Sequence, residues 1–202
     1  MSGCCQICGS DVYGTDEGGY LCRNCFVVFR KKDLKDIFRK MGKRNALFVG
    51  RFQPFHKGHL EVIKMILQEY DEVLIVIGST QYSRTQDNPY TAEEREEMIK
   101  KTMDSEGIVN YRIYKIEDIH DDEKWVDYAV KQLPKFEIVY CGEGLTKALF
   151  RKANYKVIEL KRINSISSTD IRERIKKGIG WEFLVPKPAE DIMKFIGLKI
   201  FA

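Results

Sequence analysis

The chain has 202 residues, 44% hydrophobic and 32% charged, proportions that exclude a disordered or fibrous protein and suit one medium domain with a small appendage. The formal net charge of +4 is too mild to demand nucleic acid and suits phosphorylated small molecules equally well. The longest apolar runs, such as Val73-Leu74-Ile75-Val76-Ile77, are too short to span a bilayer, and Met1-Ser2-Gly3-Cys4 lacks a secretory pattern. A cytoplasmic protein without membrane contact is therefore expected.

The first 29 residues carry five of the six cysteines. Cys5-Gln6-Ile7-Cys8 and Cys22-Arg23-Asn24-Cys25 form two Cys-x-x-Cys pairs, 13 residues apart. Two such knuckles can direct four thiolates at one ion, and tetrahedral Zn²⁺ is the usual match for four sulfurs. Cys4 is an alternative to Cys5, with a less typical spacing to Cys8. Disulfides are disfavoured in a reducing compartment, and a redox pair needs only one Cys-x-x-Cys. A zinc-ribbon-like module over 1–29 is expected, with the metal supplying much of its stability because so short a segment buries little apolar surface. Residues 30–44 hold eight Lys and Arg against Asp33 and Asp36, with Leu34, Ile37, Phe38 and Met41 at helical spacing. They read as a basic helical linker.

From residue 45 to 202 the periodicity alternates. Strand-like runs occupy Ala46–Val49, Val73–Gly78, Val109–Tyr114, Phe136–Cys141 and Lys156–Glu159. Helical patterns fill about 58–70, 92–104, 123–132, 143–153, 169–177 and 187–196. Apolar strands separated by helices predict an α/β domain, a Rossmann-like parallel sheet with helices on both faces. Ligands in such sheets lie beyond the C-terminal strand ends, which points to loops 50–57, 78–91, 115–121, 141–145 and 160–168. Thr91-Ala92-Glu93-Glu94 is a capping box. Cys141 reads as a plain buried thiol and His120 as a loop residue.

Two segments suit phosphate. Gly50-Arg51-Phe52-Gln53-Pro54-Phe55-His56-Lys57-Gly58-His59 leads from the first of these strands into a helix and holds two of the three histidines. A helix N-terminus offers unpaired N–H groups and partial positive charge, and imidazole adds donors that follow charge between phosphate oxygens. A His-x-x-His pair without further ligands nearby is a poor metal site. The second segment is Ile166-Ser167-Ser168-Thr169-Asp170-Ile171-Arg172. On its own it also reads as an ordinary capped helix. Arg172 in the first turn is electrostatically unhelpful there unless an anion occupies the helix mouth.

These two segments together resemble the nucleotidylyltransferase superfamily, and the Arg-Phe-Gln-Pro-Phe form of the first resembles the archaeal-type nicotinamide mononucleotide (NMN) adenylyltransferases. Gly78-Ser79-Thr80-Gln81-Tyr82-Ser83, Asn88-Pro89-Tyr90-Thr91-Ala92-Glu93-Glu94-Arg95 and Trp125-Val126 agree with that family, so the resemblance covers about 45–197. It implies adenylyl transfer from ATP, accompanied by Mg²⁺, to NMN, with NAD and pyrophosphate as products. By the resemblance His56, His59 and Arg172 are catalytic, acting on the ATP phosphates with Ser168 and Thr169. Gly50, Arg51, Phe52, Gln53, Gly58, Gly78, Ser79, Gln81 and Gly142 would line the nucleotide cleft. Trp125, which alone reads either as a core aromatic or as a stacking face, would meet the nicotinamide ring.

The turn Cys141-Gly142-Glu143-Gly144-Leu145-Thr146 departs from the family's amide-containing pattern, which leaves a flavin or pantetheine phosphate as an alternative substrate. A nucleotide-sensing or nucleic-acid-binding protein using the zinc ribbon is the rival of a different class. A homo-oligomer is expected, and contact with nucleic acid or protein through the ribbon stays open. Cys22→Ser is expected to lower both stability and bound zinc, which metal analysis of the purified protein beside the unsubstituted chain will measure.

Overall fold

The computed structural model describes residues 44–142, 144–160 and 166–197, together with the backbone of four short strands in the first 43 residues. The chain divides into two compact units, Met1–Lys43 and Arg44–Ala202. In the first, β1 (Gly3–Cys4), β2 (Asp11–Gly14), β3 (Gly19–Cys22) and β4 (Val28–Arg30) form one antiparallel sheet in sequential order. The β2–β3 hairpin follows the first cysteine pair in sequence and ends on Cys22, the first residue of the second. Cys5, Cys8 and Cys25, the side chain of Cys22 and residues 31–43 of the linker lie outside the described residues.

The second unit is the expected α/β domain. Its parallel strands are β5 (Asn45–Gly50), β6 (Glu72–Ile77), β7 (Tyr111–Lys115), β8 (Ile138–Cys141) and β9 (Val157–Glu159), in the order β7-β6-β5-β8-β9. Between and after them come α1 (Lys57–Glu69), α2 (Ala92–Ser105), α3 (Asp122–Val130), α4 (Leu145–Lys152), α5 (Ser168–Lys176) and α6 (Lys187–Ile196). Among the described residues no helix is long and apolar enough to cross a membrane.

The central strands β5 and β6 are apolar at consecutive positions because helices cover both faces of the sheet. Ala46, Phe48, Val73, Ile75 and Ile77 join Ile63, Ile66 and Met98 on one side, while Leu47, Leu74, Val76 and Val139 join Val126 and Phe150 on the other. Each fully buried aliphatic chain contributes about 1.5–3 kcal/mol relative to exposure. The strands β7 and β8 begin two residues later than the hydrophobic runs suggest. Gly107, in the left-handed region, ends the turn after α2 and leaves Val109 82% exposed ahead of the ladder.

Sequential order runs outward from β5 through β6 to β7, then returns to the other side of β5 for β8 and β9. The reversal lies between β5 and β8, where the loops at the strand ends diverge and leave a crevice.

Candidate active site

The crevice at the β5–β8 boundary is a cavity of about 700 Å³, within the range of small-molecule sites. Val49, Gly50 and Arg51 form one wall with His56, Gly58 and His59 of the following loop and helix. Cys141 and Gly142 come from the end of β8, and Ser167, Ser168 and Thr169 from the start of α5. A larger groove of about 2000 Å³ runs outside the sheet along α1, α2 and α6, but no histidine reaches it.

The two helix mouths are fastened to each other. The Ser168 hydroxyl donates to the Pro54 carbonyl at 3.1 Å, and Arg172 Nη1 donates to the Gln53 carbonyl at 2.9 Å. Ser167 caps α5 by accepting from the Asp170 backbone N–H. Segments 114 and 119 residues apart in sequence therefore present their helix N-termini to one space.

His56 caps α1 in an unusual reciprocal way. The His59 backbone N–H donates to His56 Nδ1 at 3.3 Å, and the His56 backbone N–H donates to His59 Nδ1 at 3.2 Å. Both Nδ1 atoms thus act as acceptors, which leaves the proton of each neutral ring on Nε2. The rings stack with centroids 3.5 Å apart and planes at 19°. Burial pushes the His56 imidazole down to about 4, and burial together with the neighbouring His56 holds His59 well below the usual histidine range. Two neutral Nε2–H donors at the wall of an anion-sized cavity result.

Behind them Phe52, Phe55 and Phe48 enclose His59, with the Phe52 ring edge-on at 4.8 Å. A Cβ on Gly50 would meet the Phe52 ring at 3.0 Å, so a side chain there would have to push that ring aside. Arg172 is buried, and burial lowers its pKa, as does the nearby Arg51 charge. Its Nη2 reaches Thr169 Oγ1 at 3.4 Å and Asp87 Oδ1 at 3.5 Å, next to the cavity wall.

Several residues expected to line the cleft support it instead. Phe52 and Gln53 are each only 1% exposed. The Gln53 amide pairs with the Tyr90 backbone, donating to its carbonyl at 2.8 Å and accepting from its N–H at 2.9 Å. Buried Gly78 donates to the Gly50 carbonyl at 3.0 Å and so ties the end of β6 to that of β5. Ser79 and Gln81 lie outside the cavity wall, and the Gln81 amide pairs with the Asp118 backbone. Trp125 is half-buried at the start of α3, donates from Nε1 to the Glu117 carbonyl and meets Phe150 edge-on, also outside the wall. Cys141 is buried at the cavity edge with its thiol pushed up to about 11 by burial, and Glu143 lies outside the described residues.

Sequence reasoning passed over Arg95, which is fully buried and bonds only to backbone carbonyls. Its sequence signals were its place after the Thr91 capping box and at the end of a stretch that agrees with the family, and that reciprocal box is present, with Glu94 as its partner.

The cytidylyltransferase-like family matches residues 47–174, a span that contains both helix mouths and all the cavity residues. The chain belongs to this family. Within it the chain is 42% identical over 156 residues to the nicotinamide-nucleotide adenylyltransferase of Thermoplasma volcanium, covering 76% of this chain and 88% of the relative. It is 44% identical to that of Thermoplasma acidophilum (75% and 86% covered) and 40% identical to that of Pyrococcus furiosus (76% and 84%). Among solved structures, a bifunctional NMN adenylyltransferase/ADP ribose pyrophosphatase from Francisella tularensis shares the fold. Its TM-score is 0.66 at 24% identity, covering 79% of this chain and 51% of that one.

The neutral, buried histidines make stability depend on pH. An unfolded chain binds a proton on His56 below pH 6.5, whereas the folded one does so only near 4. Stability is therefore complete above 6.5 and is lost as pH falls towards 4, by about 2 kcal/mol at pH 5 from this residue alone. Denaturant unfolding of wild type and His56→Gln at pH 7.5 and 5 should show a smaller acid loss in the variant. Equal losses would remove the assignment of a neutral His56.

Proposed function

We infer that this chain transfers an adenylyl group from ATP to NMN, giving NAD and pyrophosphate. The observation that carries the reading is that two helix N-termini and two neutral imidazole donors open on one cavity of about 700 Å³. The relatives that share about 40% of their residues with most of the chain are named for this reaction.

The chemistry is in-line displacement at phosphorus. An oxygen of the NMN phosphate forms a bond to the α-phosphorus of ATP, and the bond from that phosphorus to the bridging oxygen of the β-phosphate breaks. The bridging oxygen keeps the electron pair and leaves as part of pyrophosphate. No protein nucleophile is needed, so alignment and stabilisation of the growing negative charge supply the rate. In our reading His56 and His59 donate from Nε2 to phosphate oxygens in the transition state. The N-termini of α1 and α5, with Ser168 and Thr169, hold the phosphates that depart, and Arg172 supplies positive charge behind them. Mg²⁺ arrives with ATP and offsets charge on the triphosphate. Gly50, Arg51, Gly58 and Gly142 lie along the nucleotide's course. Gln53, Phe52, Gly78 and Ser79 shape that course from behind, and Gln81 steadies the loop facing Trp125. Trp125 borders the nicotinamide, a role supported by its anchored, half-buried indole beyond the C-terminal end of β7.

We also propose that Cys5, Cys8, Cys22 and Cys25 hold a structural Zn²⁺. The four-stranded antiparallel sheet and the hairpin that leads from the first cysteine pair to Cys22 support this reading. The module then offers a rigid surface for a protein or nucleic-acid partner. Assembly of several copies of the chain is supported by the apolar side of the outer groove, where Phe183 is 61% and Phe195 92% exposed.

Pyrophosphate release tests the reaction. The purified chain with ATP and Mg²⁺ should release it on addition of NMN, and much less with a flavin or pantetheine phosphate. Release only with one of the latter would replace NMN as the substrate. His59→Ala should lower kcat by about 10²–10³ while the fold persists, as circular dichroism will check, because the loss falls on transition-state charge.

A further inference from the structure

Parallel strands end with carbonyls beyond the ladder, and here the end of β5 lines the space proposed for a polyanion while the end of β6 is tied to it from behind. Unpaired carbonyl oxygens there would cost desolvation energy and repel phosphate. Arg95 deals with both. Its side chain is 0% exposed, and Nη1 donates to the Arg51 and Gly78 carbonyls, each at 2.9 Å. Nη2 donates to the Ser79 carbonyl at 3.3 Å, and Nε to the Thr91 carbonyl in its own helix at 3.1 Å. Arg51 and Gly78 directly follow β5 and β6, the central strands.

Two of the backbone positions gripped in this way are strained. Phe52, whose peptide includes the Arg51 carbonyl, has φ of 52°, and Ser79 has φ of 51°, both in the left-handed region that disfavours side chains. Strained positions of this kind persist where surrounding bonds over-determine them. Phe52 is also the ring that lies edge-on to His59.

The charge itself is unusual. Among the described residues no carboxylate forms an ion pair with Arg95. Burying a guanidinium among carbonyls carries a desolvation cost that an apolar side chain would avoid, and the Glu93 and Glu94 charges offset it only in part. We propose that Arg95 is a positioning residue for phosphate transfer. It turns the carbonyls at the ends of β5 and β6 away from the triphosphate, and it fixes Phe52 and hence the imidazole of His59 at the cavity wall. The proposal rests on the adenylyl-transfer reading for its kinetic consequence but not for its anion-binding one.

The test compares wild type, Arg95→Ala and Arg95→Lys below their melting temperatures. Pyrophosphate release is measured with ATP, Mg²⁺ and NMN, and binding of inorganic tripolyphosphate by calorimetry. Misplacement of the loop by about 1 Å should lower kcat of Arg95→Ala about a hundredfold, with the KM for NMN nearly unchanged. Tripolyphosphate binding should weaken in parallel. Added guanidinium ion should restore at least a tenth of the lost kcat, whereas ammonium should not. Lysine keeps the charge but cannot span both strand ends, so Arg95→Lys should stay at least tenfold impaired, and this comparison decides if Arg95→Ala does not fold. A folded Arg95→Ala with wild-type kcat and tripolyphosphate affinity overturns the proposal. So does a loss of kcat that merely follows the unfolded fraction, or full activity in Arg95→Lys. Should wild type release no pyrophosphate from any acceptor, the reaction assigned above fails while the tripolyphosphate comparison still judges Arg95.

Discussion

Residues 50–56 form a stretch of backbone held in one shape from two directions, and the site exists because of it. From the far end of the chain Arg172 and Ser168 bond the carbonyls of Gln53 and Pro54. From the other side Arg95 bonds the carbonyl of Arg51, and the Gln53 amide closes on the backbone of Tyr90. Fixing each backbone residue costs about 1–2 kcal/mol of conformational entropy, and a hydrogen bond returns about 0.5–1.5 net. Hydrogen bonds alone do not hold such a loop, and the balance comes from burying Phe52, Pro54 and Phe55 beneath it. The apolar side chains fix where the loop lies, and the polar ones fix how its carbonyls and N–H groups point.

That division explains what the sequence disclosed. Parallel strands buried on both faces leave continuous apolar runs, so β5, β6 and β8 were legible, as were the helices with capping signals such as Thr91 and Ser167. His56 and His59 were legible because histidine is scarce in the chain and both fall in one turn. Their convergence with Ser168 and Arg172 was predicted only from the likeness to a family, and the bonds to Gln53 and Pro54 give it a physical form. Residues that act on distant backbone left no local pattern. Arg95 meets partners 16, 17 and 44 residues away, and nothing about the residues around it distinguishes it from a solvated arginine on a helix. Gln53 misled for the same reason: a glutamine in a phosphate loop suggests ligand contact, whereas its partner is the amide backbone of Tyr90.

Two of the three arginines at this site are kept behind its surface, and only Arg51 is displayed on it. Arg95 and Arg172 are both buried and both donate to carbonyls, Arg172 on Gln53 and Arg95 on the ends of two strands. A guanidinium so placed cannot follow a phosphate as it moves, but it holds its position without side-chain entropy to lose when the ligand arrives. The other groups at the cavity wall are hydroxyls, helix N-termini and imidazoles, which are neutral or only partly charged, and exposed Arg51 is the one charged side chain among the described lining residues.

The stacked histidines add a constraint of their own. With ring centroids 3.5 Å apart, two imidazolium charges would repel by about 5 kcal/mol at an effective dielectric constant near 20, so the pair accepts one proton at most. Their reciprocal caps oppose even the first proton, since each Nδ1 is occupied as an acceptor of a backbone N–H that protonation would expel. In the reaction proposed for this site the rings would therefore meet a triphosphate as fixed neutral donors. Their interaction with it strengthens as negative charge accumulates on the departing oxygen, whereas a permanent cation would grip the ground state nearly as firmly. A helix cap made of histidines thus stands at the site proposed for phosphate transfer, and the acid sensitivity of the fold follows from the burial of the same rings.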